Sequence, residues 1–180
     1  LCSYVGNYAF QDCVLLPTIS LPLCKSVGYG TFRGCTSLIS IDLPLCSYVG
    51  NYAFQTCNSL SSIYLPNCLI ANNNTFANCS GLISVNLPKC SYVSDYAFGY
   101  NSKLQTVNLP LCTSILSTAF SYTSKLISVN LQNCSSTPQY LFWNNRKLIS
   151  INLQNCLSIG WYTFAGCTSL ASIDLPLCSY

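Results

Sequence analysis

Residues 46–67 read Cys46-Ser47-Tyr48-Val49-Gly50-Asn51-Tyr52-Ala53-Phe54-Gln55-Thr56-Cys57-Asn58-Ser59-Leu60-Ser61-Ser62-Ile63-Tyr64-Leu65-Pro66-Asn67. Shifted by 22 positions in either direction, most of these residue types return. Phenylalanine stands at Phe10, Phe32, Phe54, Phe76, Phe98, Phe120, Phe142 and Phe164. Cysteine keeps the same step at Cys2, Cys24, Cys46, Cys68, Cys90, Cys112, Cys134, Cys156 and Cys178, without an insertion. A fixed period of this length describes coils that cannot bury an apolar face alone and must stack on their neighbours. The expectation is one α/β solenoid over residues 1–180, built from about eight coils.

Within a coil, Leu38-x-x-Ile41-x-Leu43 recurs as Leu60/Ile63/Leu65, Leu82/Val85/Leu87 and onward to Leu170/Ile173/Leu175. Its closing alternation predicts a short strand with Ile41 and Leu43 pointing inward. Proline follows at Pro22, Pro44, Pro66, Pro88, Pro110 and Pro176, where the missing N–H ends the ladder. Stacked coils would place these strands in one parallel sheet at about 4.8 Å spacing, with the rest of each coil as the crossover. In the return segment, Val49, Ala53, Phe54, Cys57 and Leu60 follow three-to-four spacing, which predicts a helical or 3-10 turn. Gly6, Gly28, Gly50 and Gly160 precede it, where a permissive turn is expected, although Asn72, Ser94, Leu116 and Pro138 stand there in other coils. One phenylalanine per coil then fills the core between strand and return segment.

These motifs resemble a known family. Leu38-x-x-Ile41-x-Leu43-x-x-Cys46 fits the leucine-rich repeat core. The Val-Gly-x-x-Ala-Phe-x-x-Cys-x-x-Leu pattern from Val49 to Leu60 is similar to the BspA-type class of bacterial and protist surface proteins. The resemblance runs through all the coils. It departs from the usual pattern in its 22-residue length, against 23, and in the cysteine at the turn after the strand. It implies one strand per coil, an extracellular or cell-surface location and adhesion-type binding, and carries over no catalytic residue.

Fourteen cysteines invite three readings. Disulfides suit an even count in an exported chain. However, parallel Cβ vectors in stacked coils hold sulfurs short of bonding geometry, and the second column (Cys13, Cys35, Cys57, Cys79, Cys167) continues as Asn101, Thr123 and Asn145. Zinc favours local pairs such as C-x-x-C, which the sequence lacks. The favoured reading is the buried free thiol, a small hydrophobe with a weak donor.

Composition excludes more than it selects. The chain has no His and no Glu, and Asp12, Asp42, Asp95 and Asp174 are dispersed. That removes the usual general base, metal ligand and paired acids, so neither an enzyme nor a cofactor is expected. A net charge of +3 is too small and scattered to predict nucleic-acid binding. Polar residues interrupt every apolar run before membrane-span length. The sequence begins at Leu1 without Met, which reads as a mature or excised fragment.

Two surface columns remain. The outward strand positions Ser40, Asp42, Ser62, Tyr64, Ser84, Asn86, Thr106, Asn108, Ser128, Asn130, Ser150 and Asn152 form a polar face, either a self-satisfying ladder or a binding surface. Lys103, Lys125 and Lys147 share one phase in the three coils that lack the second cysteine, with Arg146, Tyr100, Tyr122 and Trp143 beside them. A column of like charges without facing acids suits an anionic ligand, and a subgroup of coils duplicated together explains the same pattern. Sequons at Asn73, Asn78 and Asn133 fit glycosylation, at a frequency this composition also gives by chance. The expected function is a non-catalytic extracellular module binding protein or glycan through the strand face and the basic-aromatic ridge. The alternative is a subunit of a homopolymeric filament, since Leu177-Cys178-Ser179-Tyr180 repeats Leu1-Cys2-Ser3-Tyr4 in phase.

Overall fold

A computed structural model describes residues 2–179; Leu1 and Tyr180, which belong to the matching end segments, lie outside them. Each coil contains two short strands, where the sequence predicted one. The expected Leu-x-x-Ile-x-Leu strands appear as Thr18–Ser20, Ser40–Asp42, Ser62–Tyr64, Ser84–Asn86, Thr106–Asn108, Ser128–Asn130 and Ser150–Asn152. They pair parallel at an offset of one repeat, Thr106 opposite Ser84 and Ser128. They form not the one sheet expected but a five-stranded sheet from Ser62–Tyr64 to Ser150–Asn152 and a separate pair of Thr18–Ser20 with Ser40–Asp42. Two-residue strands, from Tyr4–Val5 to Ser158–Ile159, form a second parallel ladder. Residues 172–174 are not a strand, so the described chain makes about seven full turns instead of eight.

The second ladder stops between Ser114–Ile115 and Ser136–Thr137. In most other coils the residue after the short strand donates its N–H to the coil before, as Gly50 does to Val27 (2.8 Å), Ser94 to Ala71 (2.8 Å) and Leu116 to Val93 (2.8 Å), while Asn72 reaches the Val49 carbonyl with its side-chain amide (2.7 Å). In the interrupted coil that residue is Pro138, which has no N–H to give.

The return segment is not helical. Among the described residues no helix forms; the chain runs through successive β-turns. In the first coil, Ala9, Gln11 and Cys13 each donate N–H to the carbonyl three residues back, while Tyr8, Phe10 and Asp12 donate to Tyr29, Thr31 and Arg33 of the next coil. Alternate N–H groups therefore serve the coil and its neighbour, which a helix cannot do because its N–H groups all point along its own axis. The turns need a positive φ at two places per coil, such as Tyr8 (58°) and Asp12 (56°) or Tyr52 (60°) and Thr56 (64°). With φ positive only at the third residue of the turn, this is the type II pattern. Gly30, Gly34 and Gly166 occupy these columns; Tyr, Asn, Asp and Thr fill the rest.

The glycines expected to permit the turn have another task. Gly50 is not left-handed; a Cβ there would lie 2.6–2.8 Å from the backbone of Gly28 and Tyr29. It marks a close approach of successive coils.

The core matches expectation in its contents. Phe32, Phe54, Phe76, Phe98, Phe120 and Phe142 are fully buried, with Phe10 and Phe164 partly so at the two ends. Consecutive rings stack at centroid distances of 5.3–5.6 Å with planes 2–12° apart. Leucines and ten buried thiols complete the core.

Candidate binding surface

The cysteine columns are hydrogen-bond donors to carbonyls that the coil leaves over. In the first column, Cys24, Cys46, Cys68, Cys90, Cys112 and Cys156 donate Sγ to the carbonyl two residues on, at 3.1–3.4 Å. Cys134, in the coil interrupted by Pro138, turns instead to the carbonyl of Cys112 (3.2 Å), with its sulfur 3.9 Å from that of Cys112. In the second column Cys35, Cys57, Cys79 and Cys167 donate to the carbonyl of the phenylalanine one coil back, at 3.0–3.2 Å. Asn101 makes the same bond to Phe76 and Asn145 to Phe120, while the single hydroxyl proton of Thr123 lies between the Phe120 carbonyl of its own coil and Asn145 Oδ1. Burial pushes the thiols up, Cys35 and Cys46 to about 11 and Cys68 and Cys79 to about 12. A buried, protonated thiol is a poor nucleophile. The buried members of these columns are therefore packing.

The strand face is exposed along its length but is not one continuous ladder. Asn108 donates to Asn86 Oδ1 (2.9 Å). In the next two coils Asn130 and Asn152 instead accept the backbone N–H groups of Gln132 and Gln154. Ser40, Asp42, Ser62, Thr106 and Ser150 are exposed, Ser84 and Ser128 half-buried, and Tyr64 stands out at 62% exposure.

The predicted basic-aromatic ridge separates into two parts. Tyr100 and Tyr122 stack at 4.9 Å with planes 10° apart, and Trp143 packs edge-on against Tyr122 (5.3 Å) and Tyr140 (5.8 Å). Ring faces spent on one another leave edges and hydroxyls to solvent. Lys103, Lys125, Lys147 and Arg146 are exposed at the corner leading into the longer strands. There Lys125 and Lys147 line a shallow hollow of about 300 Å³ with Gln105, Ile127 and Ile149. The last three were absent from the sequence expectation. Their backbones form a ladder, Ile127 N–H to Gln105 (3.0 Å) and Ile149 N–H to Ile127 (3.0 Å). Lys125 and Ile127 come from one coil and Lys147 and Ile149 from the next, and all four line the hollow. Ile127 is 40% and Ile149 59% exposed.

Of the sequons, Asn73 and Asn78 are exposed, while Asn133 commits its side-chain amide to the carbonyl of Pro110 (2.7 Å). No helix among the described residues is long and apolar enough to cross a membrane.

The repeat pattern matches the model of the BspA type leucine rich repeat region in six copies, over residues 3–127 and 91–178. The chain belongs to the BspA-type leucine-rich repeat family. Solved structures agree on the fold. A leucine-rich repeat protein of T. pallidum shares 27% identity at a TM-score of 0.65, over 94% of this chain and 72% of that one. A leucine rich cell surface protein of Faecalibacterium prausnitzii shares 19% identity at a TM-score of 0.69, over 96% of this chain. The BspA-type solenoid here spans 58% of the length of that second protein. No curated protein matches the chain. Members of this repeat class are generally non-enzymatic.

Proposed function

We propose that this BspA-type solenoid is a non-catalytic extracellular binding module whose contact surface is the corner column of Lys103, Lys125 and Lys147 together with the adjoining strand face. The observation that carries this is the hollow that Lys125 and Lys147 line together with exposed Ile127 and Ile149. Core columns of this protein repeat one residue type from coil to coil. The lysine column changes instead, from Ser37, Ser59 and Gly81 to three lysines, beside a column in which Ile39, Ile83, Ile127 and Ile149 are interspersed with Ser61 and Gln105. The four aspartates occupy other columns, so no acid of the same column offsets the charge. Cations displayed on a rigid lattice raise the local concentration of anionic partners, and the two isoleucines supply burial on contact. The surface-protein relative and a polar surface with few charges support an extracellular setting.

The test is an array of purified extracellular proteins and glycans probed with this chain and with a K103S/K125S/K147S variant. Signals that vanish with the variant are expected. Signals unchanged by the triple substitution would remove the corner column from the interface. Sedimentation of the same preparation separates a discrete binding module from end-to-end stacking of copies, the second reading, which would give large particles.

A further inference from the structure

The hollow offers two chemistries at once, and together they select a ligand class. The cationic side is a column of three lysines at about 4.8 Å coil spacing, with Arg146 next to Lys147 in sequence. The apolar side is Ile127 and Ile149, continued by Ile83 one coil beyond Gln105 and itself 43% exposed. A neutral sugar ring packs best on an open aromatic face, which the hollow itself lacks. The neighbouring aromatics have closed theirs, Tyr100 against Tyr122 and Trp143 against Tyr122 and Tyr140. A ligand with carboxylates and aliphatic side chains fits what remains.

We propose that the Lys125–Lys147 hollow docks a short extended segment of a partner protein that carries Asp or Glu alternating with aliphatic residues. The proposal rests on the binding surface described above and names its ligand class. The acids lie on Lys103, Lys125 and Lys147, and the aliphatic side chains on Ile127 and Ile149. From Gln105 to Ile149 is two coil spacings, roughly 10 Å, which an extended chain covers in about three residues at ~3.3 Å each. The footprint is therefore a short motif with at least two acids. Exposed ion pairs are individually weak, so removing three lysines should weaken binding by roughly 3- to 150-fold.

The variants are chosen from the protein's own repeat. Serine stands in the lysine column at Ser37, Ser59 and Ser169 and in the isoleucine column at Ser61, so K103S/K125S/K147S and I127S/I149S ask for nothing that another coil does not already do. A thermal melt of each checks that folding is retained, and K103R/K125R/K147R keeps the charge. The probes are a short labelled peptide of alternating Glu and Leu, its Gln-for-Glu counterpart, and alginate as a carboxylated polysaccharide, followed by fluorescence anisotropy or competition. The expected result is binding of the Glu/Leu peptide that weakens with salt, is lost in both serine variants, survives in the arginine variant and is absent for the Gln/Leu peptide. Lysine-dependent binding of alginate without binding of the peptide would overturn the ligand class while leaving the lysine column as an anion site. Failure of both probes would overturn the column as well.

Discussion

The side-chain amide of Asn101 donates to the carbonyl of Phe76 at 2.8 Å, the bond that Cys79 makes with its thiol to the carbonyl of Phe54 at 3.0 Å. Two residue types that no substitution table would pair are thus interchangeable, because the coil fixes the carbonyl and asks only for a small donor. Asn101 carries a cost that cysteine does not: its Oδ1 is buried without a hydrogen-bond partner. Asn101→Cys should therefore be neutral or stabilising. Asn101→Val, which leaves the Phe76 carbonyl short of a donor, should cost about 1–3 kcal/mol. Urea denaturation of both variants measures this.

The phenylalanine stack sets the stability of the whole array. Phe98 is fully buried between Phe76 and Phe120, at 5.6 and 5.3 Å. Phe98→Ala should cost about 3–5 kcal/mol, with transfer and cavity terms adding. Phe10→Ala, at the half-exposed end of the same stack, should cost much less in the same denaturation experiment.

Left-handed backbone is strained for a β-branched residue. Thr118 (φ 61°) and Thr56 (φ 64°) hold that conformation where other coils place Asn74 or Gly34. Thr118→Asn should raise stability by about 0.5–1 kcal/mol, seen as a higher melting temperature. An unchanged or lower melting temperature would mean that this turn does not carry the strain.

The phase, the parallel strands, the stacked phenylalanines and the packed thiols were all legible in the sequence, because each depends on a side chain recurring at a fixed step. The return segment was not. Val49, Ala53, Phe54, Cys57 and Leu60 carry a helical spacing, yet the segment must also hand every second N–H to the neighbouring coil, and that demand lies in the backbone. The left-handed residues were hidden for the same reason: tyrosine takes the place of glycine at Tyr8, Tyr52 and Tyr96. The second strand, only two residues long, is too short to show alternation. At the surface, the lysine column was visible as a charge pattern. Its apolar neighbours were not, since Ile127 and Ile149 immediately precede their strands in a column with no steady residue type of its own, and only the fold shows them exposed.

The buried thiols make the fold sensitive to base. Their ordinary value is near 9, and burial raises Cys46 to about 11 and Cys68 and Cys79 to about 12 in the folded chain. Above pH 9 the unfolded chain releases protons that the folded chain keeps, so the unfolded state binds fewer protons and stability falls as pH rises. Melting temperature should be flat below about pH 8.5 and drop steadily between about 9 and 12, and a Cys68→Ser chain should lose part of that slope.

Zero-length amine-to-carboxyl cross-linking of the chain with the Glu/Leu peptide, read by mass spectrometry, tests the binding surface most directly, because the protein supplies its own controls. Lys25 and Lys89 are also exposed but lie in other columns, Lys89 donating to Asn67 Oδ1 (2.7 Å). Cross-links concentrated on Lys103, Lys125 and Lys147 are the expected result. Cross-links spread evenly over all five lysines, or concentrated on Lys25 and Lys89, would contradict it.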